Sequence, residues 1–342
     1  MGFDLTDAEK RDLTPLRVLI VGCGNIAGGF DERCTPGDFP YTHAGAYVQD
    51  GRFNITACVE PDDNRRGEFM AAWSVPDGFH TIDALLEFHN EESPQFDVIS
   101  ICSPTDCHAY DFEIALSLKP KLIFCEKPVT TSLSETERLI EECSSANILL
   151  AVNYTRRWDP DILKLQADMS AGQWGSLRSV VGIYNKGILN NGSHMLDLCQ
   201  FLIGPMKIIK VGKPVEDHFS DDPTIPVWLE GNQSVPIHLT CANAEDYAVF
   251  ELQLVFSLGV LTMEEGGMFW NERRVVDSDT FKGYRKLGEI VRRPGEYPKA
   301  MLCAVDNIYR AINQNIPIAS NGVNSLAVQR ACEDVKQQAC TL

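Results

Sequence analysis

The sequence lacks the long apolar runs, export signals and paired cysteines that would place a protein in a membrane or outside the cell. No stretch of its 342 residues approaches the roughly 18 consecutive apolar residues that a membrane span requires. Its first ten residues are polar and acidic, without the charged-then-apolar order of a signal peptide. The 12 cysteines form neither a C-x-x-C pair nor another metal-ligand spacing. We therefore expect free thiols, no metal site and a reducing cytoplasm.

Positive charge is also scarce. The chain has 30 Lys and Arg residues against 48 Asp and Glu residues, which gives a formal net charge of −18. Such a surface repels phosphate backbones and anionic lipids, so we expect no nucleic-acid or membrane partner. An anionic cofactor then needs a local device, such as the N-terminus of a helix. The length favours two domains, and the 44% hydrophobic content is sufficient for their cores.

The first part of the chain alternates short apolar runs with helical patterns. After a polar lead-in at 1–15, we expect strands at 16–21, 54–59, 98–101 and 121–124. We expect helices between them at 42–50, 63–73, 81–89 and 108–117. Alternating strands and helices indicate βαβ units and a doubly wound parallel sheet. Residues 1–130 are therefore predicted to form an α/β domain of the Rossmann type.

The pattern changes in the second part of the chain, predicted as one α+β domain over 131–342. Its expected helices lie at 131–145, 160–171, 192–203, 300–313 and 324–337. Its expected strands lie at 149–152, 176–184, 208–211, 235–242, 248–256 and 260–264. Several turns are too short for crossover helices, which favours a mostly antiparallel sheet. The final helices are free to pack back on the first domain.

A glycine-rich loop follows the first predicted strand directly. It reads Gly22-Cys-Gly24-Asn25-Ile26-Ala27, a G-x-G-x-x-A form of the dinucleotide-binding fingerprint. Gly22 permits a tight turn, Gly24 permits close approach of a pyrophosphate, and the small Ala27 permits close packing of helix and strand. The alternative is that these glycines only shape a turn. Because the loop leaves a buried strand and is expected to open a helix, we predict a dinucleotide site.

An acidic residue ends the second predicted strand and bears on which dinucleotide binds. Glu60 can accept hydrogen bonds from the adenosine ribose hydroxyls and would repel a 2′-phosphate. NAD is therefore favoured over NADP. The alternative remains open because Arg65 and Arg66 follow closely, and either could be aimed at a 2′-phosphate.

Two further motifs follow predicted strands, at the edge where ligands of such sheets bind. They are Ser103-Pro104-Thr105 with His108, and Glu126-Lys127-Pro128. A lysine here could be an ordinary solvated surface residue. Its position inside the predicted cofactor cleft favours a functional Lys127 instead.

These motifs, followed by 153–157 and 191–197, resemble those of the Gfo/Idh/MocA family of oxidoreductases, which includes glucose–fructose oxidoreductase and inositol dehydrogenase. The matching pieces run in the family order from about 16 to 204, and Glu-Lys-Pro is the most diagnostic. The resemblance implies a Rossmann domain joined to a domain with a large open sheet, one face of which forms a homodimer or homotetramer contact. It also implies that the fingerprint loop, Glu60 and the two strand-end motifs contact the cofactor.

The family resemblance further implies that Lys127 reaches the nicotinamide ribose and the substrate hydroxyl, with His194 as an acid or base. An imidazole suits proton transfer near neutral pH, and a lysine can stabilise an alkoxide or act as a base. How the two residues share this role stays open. His194 could instead cap a helix or satisfy the core. Many family members have Asp where this chain has Asn190, which puts an Asp–His pair in doubt.

Candidate substrate-binding residues surround these two. They are Asn190, Arg157, Lys186, Asp197 and Tyr154. Asn190 could hydrogen-bond a sugar hydroxyl, and Lys186 could meet a phosphate or carboxylate or be a solvated surface lysine. No role is assigned to the remaining histidines: His43, His80, His89, His218 and His238.

The sequence thus predicts an NAD(H)-dependent oxidoreductase acting on a hydroxyl or keto group of a sugar or sugar derivative. The combination of Asn190 and Lys186 favours a nucleotide-linked sugar. Alternatives are a free sugar or cyclitol dehydrogenase and, from another class, a non-catalytic regulator that binds NAD and a ligand.

Overall fold

The computed structural model describes residues 14–32, 38–88 and 95–341. Most of the predicted lead-in at 1–15, and His89 at the end of a predicted helix, lie outside these ranges. Backbone contacts divide the chain into two units. The first runs to Thr155 and also includes Lys299–Leu326, and the second comprises Arg156–Pro298 and Ala327–Leu342.

The first unit is built on a parallel sheet of six strands in the order β3-β2-β1-β4-β5-β6. The strands are β1 (Leu16–Val21), β2 (Phe53–Val59), β3 (Asp77–Phe79), β4 (Val98–Ile101), β5 (Leu122–Cys125) and β6 (Leu149–Val152). The helices are α1 (His43–Asp50), α2 (Asp63–Trp73), α3 (Ile82–Phe88), α4 (His108–Ser117) and α5 (Leu133–Ser145). This strand order reverses between β1 and β4, where ligands of doubly wound sheets bind.

The strands of the first unit are apolar because helices cover both faces of the sheet. In β1, Val18, Leu19 and Ile20 are fully buried, as expected of a central parallel strand. The predicted Rossmann sheet is therefore confirmed. The short β3 was not predicted, because its three residues are only half-buried and carry no strand pattern. Because β6 pairs with β5, residues 149–152 belong to this sheet.

The second unit begins with α6 (Pro160–Ser170) and contains a nine-stranded sheet. A long strand, β7 (Leu177–Tyr184), precedes a π-helical turn (Gly187–Gly192) and α7 (Ser193–Ile203). The remaining strands are β8 (Lys207–Val211), β9 (Val227–Glu230), β10 (Pro236–Cys241), β11 (Phe250–Phe256), β12 (Gly259–Glu264), β13 (Phe269–Asp277), β14 (Arg285–Leu287) and β15 (Val291–Pro294).

The strand order of this sheet is β14-β13-β12-β11-β7-β10-β9-β8, with β15 paired to β13. All pairs are antiparallel except β7 with β10, which confirms the predicted mostly antiparallel sheet. In β11, Leu252 and Leu254 are buried and Gln253 between them is exposed, the alternation of a sheet with one covered face. The sequence did not predict β9 or the strands after β12.

Two helices close the chain, α8 (Ala300–Gln314) and α9 (Gly322–Ala339). α8 belongs to the first unit, and the division between units falls within α9. Before α9, Ser320 accepts a backbone hydrogen bond from Val152 through its carbonyl oxygen (2.9 Å), and Asn321 forms a bridge with Ala151. The segment thus extends the edge of the first sheet beside β6. Among the described residues, no helix has the length and hydropathy needed to cross a membrane.

Candidate functional site

The glycine-rich loop leaves β1 at the carboxyl edge of the first sheet. Gly22 has a φ of +85°, and a Cβ there would lie 2.5 Å from the backbone nitrogen of Ser103. Only glycine permits this contact between the loops that follow β1 and β4. A Cβ on Gly24 would meet no atom within 4 Å, so its backbone faces open space. The loop therefore has the cradle shape that a pyrophosphate requires.

The helix predicted to follow this loop is replaced by a single helical turn and a short 3-10 segment, Gly29–Asp31. The first full helix, α1, begins only at His43. Just before α1, the carboxylate of Asp31 accepts hydrogen bonds from the backbone nitrogens of Tyr41 and Thr42. Ile26 then accepts a hydrogen bond from the His43 nitrogen (3.2 Å), which docks α1 on the loop. Asn25 is exposed on the loop.

Glu60, after β2, is only 4% exposed and points back at the loop. Its carboxylate accepts hydrogen bonds from the backbone nitrogens of Cys23 (3.0 Å) and Asp62 (3.1 Å). Arg66 donates to the Glu60 carbonyl oxygen, whereas the Arg65 side chain is 55% exposed and 3.5 Å from the Glu60 carboxylate. Glu60, Arg65 and Arg66, the residues predicted to decide between NAD and NADP, therefore lie together. The Glu60 carboxylate is buried beside the loop.

The turn after β4 carries Ser103, Pro104 and Thr105 and leads into α4. Ser103 donates from its hydroxyl to the carboxylate of Asp111 (2.5 Å). Burial raises the pKa of Asp111, against the hydrogen bond from Ser103 and the charge of His108. His108 is 1% exposed, and its ring contacts the backbone carbonyls of Ser103 and Pro128. Its ring nitrogens are thus directed at the two predicted cofactor loops.

The turn after β5 carries Glu126 and Lys127. One carboxylate oxygen of Glu126 lies 3.0 Å from His43 Nε2 and accepts a hydrogen bond from the Asn153 side chain (2.6 Å). Burial opposes ionisation of Glu126, but the bonds to His43 and Asn153 and the charges of His43 and Lys127 lower its pKa overall. Lys127 is half-buried, directly after this fixed carboxylate.

His43 is a residue that the sequence analysis missed. It is fully buried, and its Nδ1 lies 3.3 Å from the Ser100 hydroxyl, which in turn bonds to Tyr47 (2.8 Å). His43 starts α1, and Glu126 follows β5, so both belong to the same edge of the sheet. Their predicted positions at this edge were the only indication in the sequence that His43 lies near Glu126. The pairing itself depends on tertiary structure.

In the second unit, His194 is the second residue of α7 and is half-buried. Asn190 lies in the π-helical turn that precedes it, and Lys186 stands before this turn with a left-handed φ of +64°. His194 and Lys127 belong to different units. The sequence predicted the helix but not the π-helical turn.

Two carboxylates, the buried Asp222 and the half-buried Asp217, accept hydrogen bonds from the backbone of this turn and of Lys186 before it. Neither residue was predicted from the sequence. Asp222 accepts hydrogen bonds from the backbone nitrogens of Leu189 (2.9 Å) and Asn190 (3.0 Å). Asp217 accepts from the Lys186 nitrogen (2.9 Å). A Cβ on Gly187 would lie 2.0 Å from an Asp222 carboxylate oxygen. Local residue spacing cannot predict these contacts, because they join segments about 30 residues apart.

Arg157 and Asp197, predicted to bind substrate, are placed against each other. The Arg157 Nε lies 2.8 Å and its second guanidinium nitrogen 2.8 Å from Asp197, and both side chains are at most 6% exposed. Burial raises the pKa of Asp197 to about 6, against the opposing charge of Arg157. The two charged groups therefore pair with each other in the interior of the second unit. Tyr154, at the end of the first unit's β6 segment, is 1% exposed.

The part of the chain that the structure describes contains no cluster of three or more metal-ligating side chains. Near the glycine-rich loop, the first unit presents the lysine, histidine and carboxylate side chains of Lys127, His108 and Glu60.

Known proteins resemble this chain in sequence. Residues 16–154 match the family GFO_IDH_MocA, described as an oxidoreductase family with an NAD-binding Rossmann fold. The chain is 31% identical over 274 residues to the inositol 2-dehydrogenase of Rhizobium meliloti, covering 72% of this chain and 78% of that protein. It is 34% identical to the myo-inositol 2-dehydrogenase of Thermotoga maritima over 84 residues, which span only 25% of either protein.

A solved structure resembles the fold. The WlbA dehydrogenase of Bordetella pertussis, in complex with NADH and UDP-GlcNAcA, superposes with a TM-score of 0.73 at 14% identity, covering 96% of this chain and 97% of that chain. The predicted family is confirmed by the match over the Rossmann residues together with the long alignment to the Rhizobium protein. The chain belongs to the Gfo/Idh/MocA family of oxidoreductases, and its first unit is the NAD-binding Rossmann fold of that family.

Proposed function

We propose that this protein transfers a hydride between NAD(H) and a hydroxyl or keto carbon of a sugar derivative. The observation that carries the proposal is the placement of Lys127. It follows a buried strand at the carboxyl edge of the Rossmann sheet, between Glu126, which is held by His43, and Pro128, whose carbonyl is held by His108. A lysine fixed in this way can be aimed at a bound substrate.

The cofactor fits the residues that the first unit presents. Gly24 leaves its backbone open for a pyrophosphate, and Glu60 places a carboxylate beside the loop, where ribose hydroxyls can donate to it. When bound, NAD supplies a hydride acceptor or donor. The turns at Ser103–Thr105 and Glu126–Lys127 would flank it.

Lys127 and His194 are proposed to transfer the proton of the substrate hydroxyl. As an alcohol carbon gives up its hydride, the hydroxyl oxygen releases a proton, and one of these two side chains takes it. In the reductive direction the same side chain returns the proton to the oxygen. Lys127 is proposed to hold the oxygen by hydrogen bonding, and Asn190 to orient a neighbouring hydroxyl of the sugar.

For the substrate, we favour a nucleotide-linked sugar. Lys186 and Asn190 offer a cation and an amide near His194, and the B. pertussis protein of similar fold was solved with a nucleotide-linked sugar. The alternative is a free sugar or cyclitol, favoured by the similarity to the R. meliloti inositol 2-dehydrogenase.

The test is a turnover screen with purified protein and NAD or NADH, using matched panels of nucleotide sugars, free sugars and cyclitols. Turnover of one panel at least 100-fold above the others identifies the class. Lys127→Met and His194→Asn should each lower kcat by about 10²–10⁴-fold. The exposed Lys121 and His80 supply the controls Lys121→Met and His80→Asn, which should keep wild-type rates. Cofactor binding without turnover of any panel would favour a regulator instead.

We further propose that the protein works in a reducing cytoplasm as a homodimer or homotetramer. All cysteines within the described ranges are free thiols, which supports the first point. Val181, on a central strand of the nine-stranded sheet, exposes 38% of its surface, which supports an assembly that covers this face. Light scattering on the purified protein tests the assembly, and a monomer at micromolar concentration would contradict it.

A further inference from the structure

His108 sits between two backbone carbonyl groups. Its Nδ1 lies 2.9 Å from the Pro128 oxygen, and its Nε2 lies 2.9 Å from the Ser103 oxygen. The residue is 1% exposed, so water does not replace either partner. A carbonyl oxygen can only accept a hydrogen bond, and a neutral imidazole has one N–H donor and one lone pair. Two carbonyl partners therefore require two N–H donors.

A neutral ring at this position would direct a lone pair at a carbonyl oxygen without a hydrogen between them. Leaving a buried polar group without a hydrogen bond destabilises the folded state. His43 provides the contrast, because its partners are the Ser100 hydroxyl and the Glu126 carboxylate. A hydroxyl can donate as well as accept, so the surroundings of His43 are compatible with either charge.

The surroundings of His108 also supply a counter-charge. Asp111 lies one helical turn further along α4, where the positive charge of His108 acts to lower the pKa of its carboxyl. Ser103 links the two side chains, since its hydroxyl bonds to Asp111 and its carbonyl to His108. From β5, the Cys125 thiol faces the ring at 4.0 Å from Nδ1, and Glu126 and Lys127 follow it in the chain.

We propose that His108 is held as an imidazolium that ties the Ser103 turn to the Lys127–Pro128 turn, so that both turns keep their places only while the ring carries two protons. His108 is thus a positioning residue, acting through the backbone on Lys127 and on the Ser103–Thr105 turn. The effect on cofactor binding rests on the proposed function, because it assumes that these turns contact NAD(H). The charge of the ring does not depend on it.

The sign of the pH effect follows from the bonding. When the pH rises until His108 loses a proton, one of the two carbonyl bonds is lost and the turns separate. NADH affinity should therefore fall on the alkaline side of this titration. Asp111→Asn removes the counter-charge, so less of the protein should carry a doubly protonated His108 in this variant.

The charge is measured by NMR of the full-length protein labelled with ¹⁵N-histidine. At pH 7, both nitrogens of His108 should resonate as protonated, and the signal is assigned by its loss in His108→Gln. If that variant does not fold, the change of the His108 resonances in Asp111→Asn at pH 7 assigns the signal. An unprotonated nitrogen on His108 at pH 7 would overturn the proposal.

The coupling is measured as NADH affinity against pH, by fluorescence of the bound nucleotide. We expect His108→Gln to weaken binding about 10-fold at pH 7 and to remove the alkaline loss. The control His80→Gln, an exposed histidine of the same unit, should match wild type. Wild-type affinity that stays constant while the NMR signal of His108 titrates would overturn the coupling. Failure of wild type to bind NADH would instead overturn the proposed function, and the nitrogen resonances would still decide the charge.

Discussion

The two regions that carry the proposed acid and base groups are held in place by opposite kinds of side chain. Around Lys127, buried imidazoles face the carboxylate of Glu126 and the carbonyl of Pro128. Before His194, Asp222 and Asp217 accept hydrogen bonds from backbone nitrogens. Turns that leave parallel strands here present oxygens, and the start of a helix presents N–H groups. The polarity of the exposed backbone therefore decides which side chain can fix each turn.

Among the changes that test this comparison, the largest loss of stability and activity is expected when the π-helical turn loses the Asp222 carboxylate. Asp222→Ala would leave the backbone nitrogens of Leu189 and Asn190 without their partner, at about 1–3 kcal/mol each. Displacing Asn190 and His194 by about 1 Å is expected to lower kcat/KM about 100-fold. Asp222→Asn keeps one carboxamide oxygen and should recover part of both losses. Urea unfolding and steady-state kinetics measure them. Equal behaviour of the two variants would show that the acceptor does not matter.

Gly187 tests the same contact from the other side. Gly187→Ala places a Cβ 2.0 Å from the Asp222 carboxylate at a φ of +84°. Gly172→Ala is the matched control, since its φ is +71° and no atom lies within 4 Å of the new Cβ. Both variants carry backbone strain of about 1–3 kcal/mol, and only the first carries the clash. We expect a clearly larger loss of unfolding free energy for Gly187→Ala. Equal losses would mean that Asp222 moves aside without cost.

Glu60 is the exception that sharpens the comparison, because it is a carboxylate of the first unit that accepts backbone N–H groups. Glu60→Gln removes its charge and keeps its size, so repulsion of a 2′-phosphate should weaken. We expect the preference for NAD over NADP to fall about 10-fold, or about 1.4 kcal/mol. Binding titrations with both cofactors measure it, with the exposed Arg65→Gln as a companion that should not favour NADP. An unchanged ratio in Glu60→Gln would remove Glu60 from cofactor choice.

The smallest effect concerns a carboxylate of the second unit with an unfilled acceptor. Asp159 caps α6 through one oxygen, and its other oxygen has no hydrogen-bond partner among the described residues. Burial raises its pKa from 3.8 to about 7, against the hydrogen bond from Asp161. A raised folded-state pKa gives stability that is fully present below pH 3.8 and lost as the pH rises through about 7.

Asp159→Asn keeps the cap and removes this titration. Its unfolding free energy should therefore vary less than that of wild type between pH 4 and 7, as measured by thermal unfolding across this range. Parallel pH profiles of the two proteins would show that Asp159 does not carry the shift.

The sequence predicted the parts of the molecule that local pattern controls. Residues 16–21 form β1 as expected, and the motifs at Glu60, Ser103 and Lys127 all follow strands of the first sheet. Buried parallel strands are apolar runs, and strand ends place motifs at one edge, so spacing along the chain is sufficient to find them. The helix that carries His194 was also predicted from local pattern, over 192–203.

The rest depends on contacts between distant segments. The bracing of Lys127 by His43, and of Asn190 by Asp222, joins residues that no motif links. In the π-helical turn, Asp222 accepts hydrogen bonds from the backbone, a contact that the residues of the turn do not predict. The sequence cannot show that Arg157 and Asp197, both predicted to bind substrate, pair with each other. Strands β13 to β15 escaped prediction because their mixed polar and apolar residues do not alternate cleanly.

The central claim is hydride transfer at a carbon of a sugar derivative. Incubation with NADH that carries deuterium at both hydrogen positions of nicotinamide C4, together with the keto form of the substrate found in the screen, tests it directly. The account predicts one deuterium on the new carbinol carbon by mass spectrometry, and none with Lys127→Met under the same conditions. Product without deuterium, or equal labelling by Lys127→Met, would contradict it.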